Sequence, residues 1–213
     1  MCYYKMINAT TGDLELHYKT RWTHKVWILK EGVQKGFDFP KWPIMTKDKG
    51  LIEGQWGILP VNVHTPEEIK SYRAKAYGGL NAKIENIDTI WGHYEQNRCL
   101  VPVTSFKEWR HEEVPGRKTP NKIPYEVVTE CDIASVAGIY NDWKSPEGEI
   151  IRTYAILTTQ ANKIMEFVHN SKKRMPVFIK PEDEQRWLDG EPAENFAFPY
   201  SMALVSFKMP EAI

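Results

Sequence analysis

The chain has 213 residues, of which 42% are hydrophobic, and this length suits one substantial core rather than an array of domains. Its 28 basic and 28 acidic side chains cancel, which excludes a polybasic protein, so any binding to nucleic acid has to come from a local patch. The sequence contains no apolar run of the roughly 20 residues that a transmembrane helix needs. We therefore expect a single domain over residues 1–213, with no membrane span.

The N-terminal residues 1–8 have neither the basic region nor the apolar region of a secretory signal, which predicts a cytoplasmic protein. The three cysteines, Cys2, Cys99 and Cys131, are an odd number without CxxC spacing, and this pattern argues against a disulfide framework or a zinc site. The sequence also lacks a phosphate-binding loop and a dinucleotide fingerprint. We expect neither a metal ion nor a cofactor.

Three helices are predicted in chain order. The first covers residues 65–77, because Thr65 begins a capping box with proline at the first helical position. The second covers residues 161–168, where apolar residues recur at helical spacing, and His169 follows at its C-terminal end. The third covers residues 181–188, before a glycine.

Segments rich in Val, Ile and Tyr between these helices are typical of strands. Helices and strands mix without regular alternation, which favours the α+β class over a doubly wound sheet. A stretch with three prolines and several charges is expected to be an exposed connection. The predicted strands are 99–103, 125–129, 134–140 and 153–157, and the connection is 111–124.

Cys2 has a chemistry that internal cysteines lack. Removal of Met1 would leave an N-terminal cysteine whose free α-amine condenses with an aldehyde to an imine, after which its thiol closes a thiazolidine ring. Since the α-amine has a reference pKa of about 7.7 to 8.0, a nearby base is needed to free it. The same terminus could attack an amide. Without further context, an incidental or buried cysteine is the ordinary alternative.

Further segments follow Cys2 in a defined order: 55–60 (QWGILP), 81–85 (NAKIE), 97–109 (NRCLVP running into FKEW), 137–140 (AGIY) and 158–176 (TTQAN through His169 to RMP). In this order they resemble the SOS response-associated peptidase (SRAP) family, from residue 2 to about residue 179. Each segment is weak evidence alone, whereas the ordered set with cysteine at position 2 is strong evidence.

The resemblance implies a barrel-like, mainly antiparallel sheet flanked by helices. It also implies a protein of the DNA damage response that recognises abasic sites in single-stranded DNA and crosslinks to them covalently, which shields the lesion. In a bacterium such a protein would be associated with the nucleoid. We expect a monomer, with proteins of the replication fork as further partners.

The resemblance also assigns catalytic roles to four residues. Cys2 matches the family nucleophile that removal of Met1 exposes. Asn81 matches the asparagine that orients this cysteine and the sugar, and Glu108 matches the glutamate that acts as acid and base beside the amine. His169 matches the histidine that opens the sugar ring and reverses the crosslink.

These roles agree with the chemistry of the side chains. An abasic deoxyribose is mostly a closed hemiacetal, so proton transfer must open it, and a histidine that titrates near neutrality suits this step. Between Phe106 and Trp109, the carboxyl group of Glu108 is expected to have a raised pKa. Asn81 can donate and accept hydrogen bonds without competing for protons.

Each of these residues also has a purely structural interpretation. Glu108 could be a solvated strand residue. His169 at a helix end could simply complement the helix dipole. Asn81 could be a helix cap.

For the DNA contacts, the sequence predicts a stacking surface and several cations against phosphates. Little base-sequence preference is expected, because a missing base leaves no edge to read. The three consecutive basic residues among these cations could instead be a solvated turn. The predicted stacking residue is Trp56, and the predicted cations are Lys83, Arg98, Lys172, Lys173 and Arg174.

The chain departs from the family pattern at several positions. Tyr3 and Tyr4 stand where family members commonly have Gly-Arg, so one phosphate contact is lost. Lys83 replaces an arginine, which keeps the charge but loses the planar fork. Gln55 replaces a tryptophan, and the spacing between His169 and the Arg-Met-Pro segment is longer than usual.

Two alternatives remain beside the crosslinking activity. One is a thiol autopeptidase or peptidase that uses Cys2, Glu108 and His169 on an amide, as the family name suggests. The other is non-covalent recognition of single-stranded or modified DNA, with Cys2 inert.

Overall fold

A computed structural model describes residues 3–22, 32–75 and 77–210. Over these ranges the chain forms strands β1 (Tyr4–Met6), β2 (Gln34–Lys35), β3 (Lys41–Thr46), β4 (Gly50–Trp56), β5 (Asn81–Lys83), β6 (Arg98–Val103), β7 (Ser105–Glu112), β8 (Asn121–Thr129), β9 (Ala134–Lys144), β10 (Ile150–Gln160), β11 (Arg174–Pro176), β12 (Phe178–Ile179) and β13 (Leu204–Lys208). The α-helices are α1 (Thr11–His17), α2 (Pro66–Lys75), α3 (Lys163–Val168) and α4 (Glu184–Leu188).

Five of the strands close into a barrel. The strands follow one another in the order β10, β4, β3, β6 and β9, and β9 pairs back onto β10. All these pairs are antiparallel except β4 with β10. Strand β6 has six successive buried residues, and β9 begins with another six. Strand β10 has eight in succession. Strands buried on both faces carry continuous apolar runs rather than alternating ones.

Strand β10 pairs with four other strands. Besides β4 and β9, it pairs in parallel with β5 and in antiparallel with β11. The register sets Asn81 beside Ile156 and Arg174 beside Gln160. The two short strands therefore lie at the C-terminal end of β10.

A second sheet has the strand order β13-β8-β7-β1-β2. In its centre, β1 pairs with β7 in antiparallel, with Lys5 opposite Phe106 and Met6 opposite Ser105. This sheet therefore places β1, the first described strand, beside β7.

The C-terminal segment contributes to the same core. Trp187 on α4 is fully buried, and its indole N–H donates to the carbonyl of Cys99 on β6 (3.0 Å). The Phe196 ring packs edge-on against Trp187, with the ring centroids 5.4 Å apart. Residues beyond 179, where the sequence resemblance ended, are therefore an integral part of the packing.

The α+β class and the barrel-like sheet with flanking helices are confirmed, as are the three predicted helices and four predicted strands, with shifted ends. The capping box at Thr65 is present: its hydroxyl accepts from the Glu68 N–H (3.2 Å) and its N–H donates to the Glu68 carboxylate (3.0 Å).

The prediction that residues 111–124 form one exposed connection is wrong. Strand β7 continues to Glu112 and β8 begins at Asn121, so the connection is only residues 113–120. The charged residues of this hairpin lie on accessible faces of its strands, where polar side chains are compatible with a two-stranded ladder.

Within the described ranges, no helix combines the length and the apolar character needed to cross a bilayer. The same residues contain no cluster of three or more His, Cys, Asp or Glu side chains arranged to hold a metal ion.

Candidate active site

The N-terminal strand β1 lies beside β7, the strand that carries Glu108. Lys5 is opposite Phe106 on β7, and Tyr3 precedes Lys5 by two residues. Cys2, the residue before Tyr3 in the sequence, lies outside the described residues.

Glu108 lies on β7 with 6% of its surface exposed. Burial penalises the charged carboxylate and raises the pKa of Glu108 from 4.5 to about 7. The expected raised pKa is confirmed, and the interpretation of Glu108 as a solvated residue is wrong. A carboxyl group with this pKa exchanges its proton readily at neutral pH.

His169 is the C-cap of α3 and is 6% exposed. Its Nδ1 lies 2.9 Å from the backbone carbonyl of Arg174. Burial lowers the pKa of His169 from 6.5 to about 4. The expectation that this histidine titrates near neutrality is therefore wrong, because its lowered pKa leaves the imidazole neutral at pH 7.

Hydrogen bonds connect the end of α3 to β7. The side-chain amide of Asn170 donates to the carbonyl of His111 (2.8 Å) and accepts from its N–H (2.9 Å). The Arg110 guanidinium donates to the carbonyl of Phe167 (2.5 Å). These bonds tie the residues on either side of His169 to positions two and three residues beyond Glu108 on β7.

Asn81 begins β5, after a tight turn in which Gly78 and Gly79 have φ values of +74° and +64°. Both polar atoms of its side-chain amide are buried, and neither has a hydrogen-bond partner among the described residues. Because Asn81 is a strand residue, the alternative of a helix cap is excluded. A buried amide without partners costs stability, so such a group is a candidate for binding a ligand.

Arg174 connects β11 to the 3-10 turn that follows β5. Its guanidinium makes two hydrogen bonds of 2.8 Å to the Glu85 carboxylate in this turn and one of 2.5 Å to the Thr158 carbonyl. The same residue accepts from His169 through its backbone carbonyl. Arg174 thus links the histidine to the turn after the strand that begins with Asn81.

The family model described as SOS response associated peptidase (SRAP) matches residues 4–208. This chain belongs to the SRAP family. The match covers the barrel, the second sheet and the C-terminal segment.

Curated relatives of this SRAP chain include two proteins named for abasic-site processing. It is 30% identical to abasic site processing protein YoqW of Bacillus subtilis over 138 residues, which cover 63% of this chain and 55% of the relative. It is 30% identical to abasic site processing protein HMCES of Gallus gallus over 182 residues, which cover 72% and 53%. The chain thus spans about half the length of these two relatives.

A solved structure has the same architecture as this SRAP chain. The crystal structure of a Bacteroides thetaiotaomicron protein superposes with a TM-score of 0.84 at 25% identity, and the alignment covers 98% of this chain and 92% of the other. This likeness extends over nearly the whole chain.

Three of the predicted DNA-contact residues of the SRAP chain are exposed: Lys83, Lys172 and Lys173. Lys83 ends β5, two residues after Asn81. Lys172 and Lys173 lie in the turn between His169 and Arg174, where the Lys173 N–H donates to the His169 carbonyl (2.9 Å). These lysines flank the candidate site, while Arg174 is held by Glu85.

Two predicted DNA contacts are wrong. Trp56 is 0% exposed and its indole N–H donates to the Leu80 carbonyl (2.9 Å), so it supports the turn before Asn81 instead of offering a stacking surface. The Arg98 side chain is 1% exposed and lies over the Trp187 ring, 4.2 Å from its centroid. Arg98 also donates to the Glu191 carbonyl (2.5 Å), and it cannot reach a phosphate.

The sequence reasoning missed a buried lysine in the SRAP core. Lys5 is 1% exposed, and its Nζ lies 4.3 Å from the Trp42 ring centroid, 4.2 Å from that of Trp56 and 4.7 Å from that of Tyr154. It also donates to the Tyr154 hydroxyl. The signal available in the sequence was its position two residues after Tyr3. Alternate residues of a strand lie on the same face, so this spacing places Lys5 on the same face as an aromatic residue.

Proposed function

We propose that this protein binds single-stranded DNA at abasic sites and, after removal of Met1, forms a covalent thiazolidine crosslink through Cys2. The observation that carries the proposal is the side-chain amide of Asn81, which is buried without a hydrogen-bond partner in the described part of the chain. Such an amide can donate to and accept from a sugar. The names of the relatives YoqW and HMCES support the choice of an abasic site as the ligand.

The first step is opening of the closed sugar. His169, neutral with a pKa of about 4, takes the proton of the anomeric hydroxyl, while Glu108, with a pKa of about 7, gives a proton to the ring oxygen. The ring C–O bond breaks and the anomeric carbon becomes an aldehyde. Solvent then returns the proton from the imidazolium to the carboxylate.

The second step forms the crosslink. The α-amine of Cys2 adds to the aldehyde carbon, and the carbinolamine loses one water to give an imine. The thiol then adds across the C=N bond, with its sulfur on carbon and its proton on nitrogen, which closes the five-membered ring. Glu108 gives the proton that lets water depart and takes one from the attacking amine.

In this scheme Asn81 positions the sugar and Arg174 positions the imidazole of His169. The Asn81 amide has no hydrogen-bond partner among the described residues, so a bound sugar can satisfy both its donor and its acceptor. Arg174 holds the imidazole of His169 through its carbonyl oxygen. We propose Lys83, Lys172 and Lys173 as contacts to phosphates, since they are exposed around the site.

A crosslinking gel tests the proposal. Met1-free protein is incubated with a single-stranded oligonucleotide that carries one abasic site, and an SDS-resistant band is expected. The Cys2→Ser variant should give no band, whereas Cys99→Ser and Cys131→Ser serve as matched controls. Burial raises the pKa of the Cys99 thiol to about 12, so this sulfur stays protonated and unreactive. A band that survives Cys2→Ser would refute the proposal.

A second candidate function is self-cleavage of the Met1–Cys2 bond. It is favoured by the two buried titratable groups Glu108 and His169, because amide hydrolysis needs the same proton transfers. Mass spectrometry of protein made while methionine aminopeptidase is inhibited separates the two sources of cleavage. Loss of Met1 in the wild type but not in Glu108→Gln would support self-cleavage, and retention in both would exclude it.

A further inference from the structure

Two aromatic rings lie together at the N-terminal end of β1. The centroids of Tyr3 and Phe37 are 4.9 Å apart, and their planes are tilted by 38°. The Gly36 N–H donates to the Tyr3 carbonyl (2.7 Å), so the backbone fixes this pair. Phe37 nevertheless remains 48% exposed.

The two segments that carry this aromatic pair contact the two halves of the candidate active site: β1 pairs with β7, and Gly36 packs on Leu80. Tyr3 precedes by two residues Lys5, which lies opposite Phe106 on β7, the strand that carries Glu108. On the other side, a Cβ placed on Gly36 would come within 2.9 Å of the Leu80 side chain, so Gly36 packs closely on the residue before Asn81. Phe37 follows Gly36 directly and therefore lies at the rim of the site.

The charge around Phe37 favours a flat, uncharged ligand. Lys35 and Asp38, the nearest charged residues in the sequence, are both exposed and of opposite sign. These two charges cancel, and the exposed ring offers an apolar face. In a single strand, the base next to a lesion is such a ligand, because every base has a face that stacks on an aromatic ring.

We propose that Tyr3 and Phe37 form a stacking site for one nucleobase that neighbours the abasic site, an inference that rests on the proposed function. The base lies on the exposed face of Phe37, and Tyr3 supports that ring from the other side. Loss of one base–aromatic stack should weaken binding about tenfold. Because stacking releases no counterions, this factor should persist at high salt.

The test varies the DNA and the protein together. Fluorescence anisotropy measures binding to strands with a tetrahydrofuran abasic analogue, which has no aldehyde and cannot crosslink. The analogue is flanked by adenine on both sides, or by a second base-free residue on the 5′ or the 3′ side. The wild type should lose about tenfold in affinity when one particular neighbour lacks its base, at low and at high salt.

Phe37→Leu should weaken binding to the adenine-flanked strand about tenfold and abolish its dependence on that neighbour, while Phe37→Trp should retain both. Phe207→Leu is the matched control, because Phe207 is 56% exposed on β13, at the opposite edge of the same sheet. Equal binding by Phe37→Leu and the wild type, or no effect of removing either neighbouring base, would overturn the stacking site.

The crosslinking gel with a natural abasic site, at saturating protein, separates this inference from the proposed function. If Phe37→Leu crosslinks and binds like the wild type, only the stacking site is refuted. If the wild type forms no crosslink, the proposed function fails and the stacking site fails with it. Crosslinking by Phe37→Leu at saturation, with weakened binding below saturation, supports both.

Discussion

The Nδ1 atom of His169 lies 2.9 Å from the backbone carbonyl oxygen of Arg174. A carbonyl oxygen can only accept, so Nδ1 carries the imidazole proton and Nε2 is the basic nitrogen. Burial also reverses the usual order of pKa values, because that of His169 falls to about 4 and that of Glu108 rises to about 7. At neutral pH the histidine is a base, and about half of the Glu108 carboxyl groups can act as an acid.

This order predicts the pH dependence of crosslinking. The rate should fall above about pH 7 as protonated Glu108 is lost, and should fall at lower pH as the α-amine, with a reference pKa near 8, becomes protonated. Initial rates of crosslink formation between about pH 5 and pH 9 should therefore give a bell-shaped profile. Glu108→Gln should be about a hundredfold slower or more and should lack the alkaline fall. A wild-type profile that rises steadily to pH 9 would contradict this assignment.

His169→Ala should separate ring opening from the later chemistry. With a natural abasic strand the variant should be slower by about a hundredfold, because no base removes the anomeric proton. With a strand that carries a simple acyclic aldehyde it should react like the wild type, since that carbonyl needs no opening. Cys2→Ser is the control that should fail with both substrates. Equal slowing of His169→Ala on both strands would show that the histidine acts elsewhere.

Asn81→Leu should raise stability and abolish function at once. The substitution removes a buried amide that has no partner among the described residues, so the free energy of unfolding should rise by about 1 to 2 kcal/mol. Crosslinking should be lost, because the sugar loses its hydrogen-bond partner. Urea unfolding and the crosslinking gel measure the two effects. The exposed Asn62 supplies the control, and Asn62→Leu should change neither property.

Alanine variants of Lys83, Lys172 and Lys173 should weaken binding to single strands irrespective of sequence. Each should also reduce the slope of log affinity against log salt by about 0.7. Arg98→Met should leave this slope unchanged but destabilise the fold by about 1 to 3 kcal/mol, because it leaves buried carbonyl groups without a donor. A changed salt slope in Arg98→Met would restore Arg98 as a phosphate contact.

Glu108 should also make stability depend on pH. Its pKa is about 7 in the folded state against 4.5 when unperturbed, so the folded state binds the proton more tightly. The free energy of unfolding should therefore fall as pH rises from about 4.5 to 7, by at most about 3 kcal/mol. Glu108→Gln should lack this fall and should exceed the wild type in stability at pH 8. Thermal unfolding at a series of pH values measures this dependence. If stability depends on pH in the same way for the wild type and Glu108→Gln, Glu108 is not buried.

The sequence was most informative where local chemistry decides structure. The capping box at Thr65 and the apolar runs of β6, β9 and β10 were sufficient to place these elements. The three candidate residues Asn81, Glu108 and His169 came from a family resemblance. The structure then placed them on elements that hydrogen bonds and strand pairing connect.

The errors came from tertiary burial, which residue type does not reveal. Trp56 and Arg98 are typical DNA-contacting side chains, yet the barrel wall and α4 enclose them. The shift of the His169 pKa to about 4 also needed the packing of α3, because the same residue in an exposed helix end would titrate near 6.5. Lys5 was missed for the same reason, since its aromatic neighbours come from three distant strands.

Strand β10 pairs with two barrel strands and also with the strands that begin with Asn81 and Arg174. Opening of this one strand would disconnect the asparagine, the arginine and the histidine that the arginine holds. These three residues of the reactive centre should therefore lose their arrangement together with the barrel. On heating, crosslinking capacity and global structure should disappear in one cooperative transition, and the β10 amides should be among the last to exchange with deuterium.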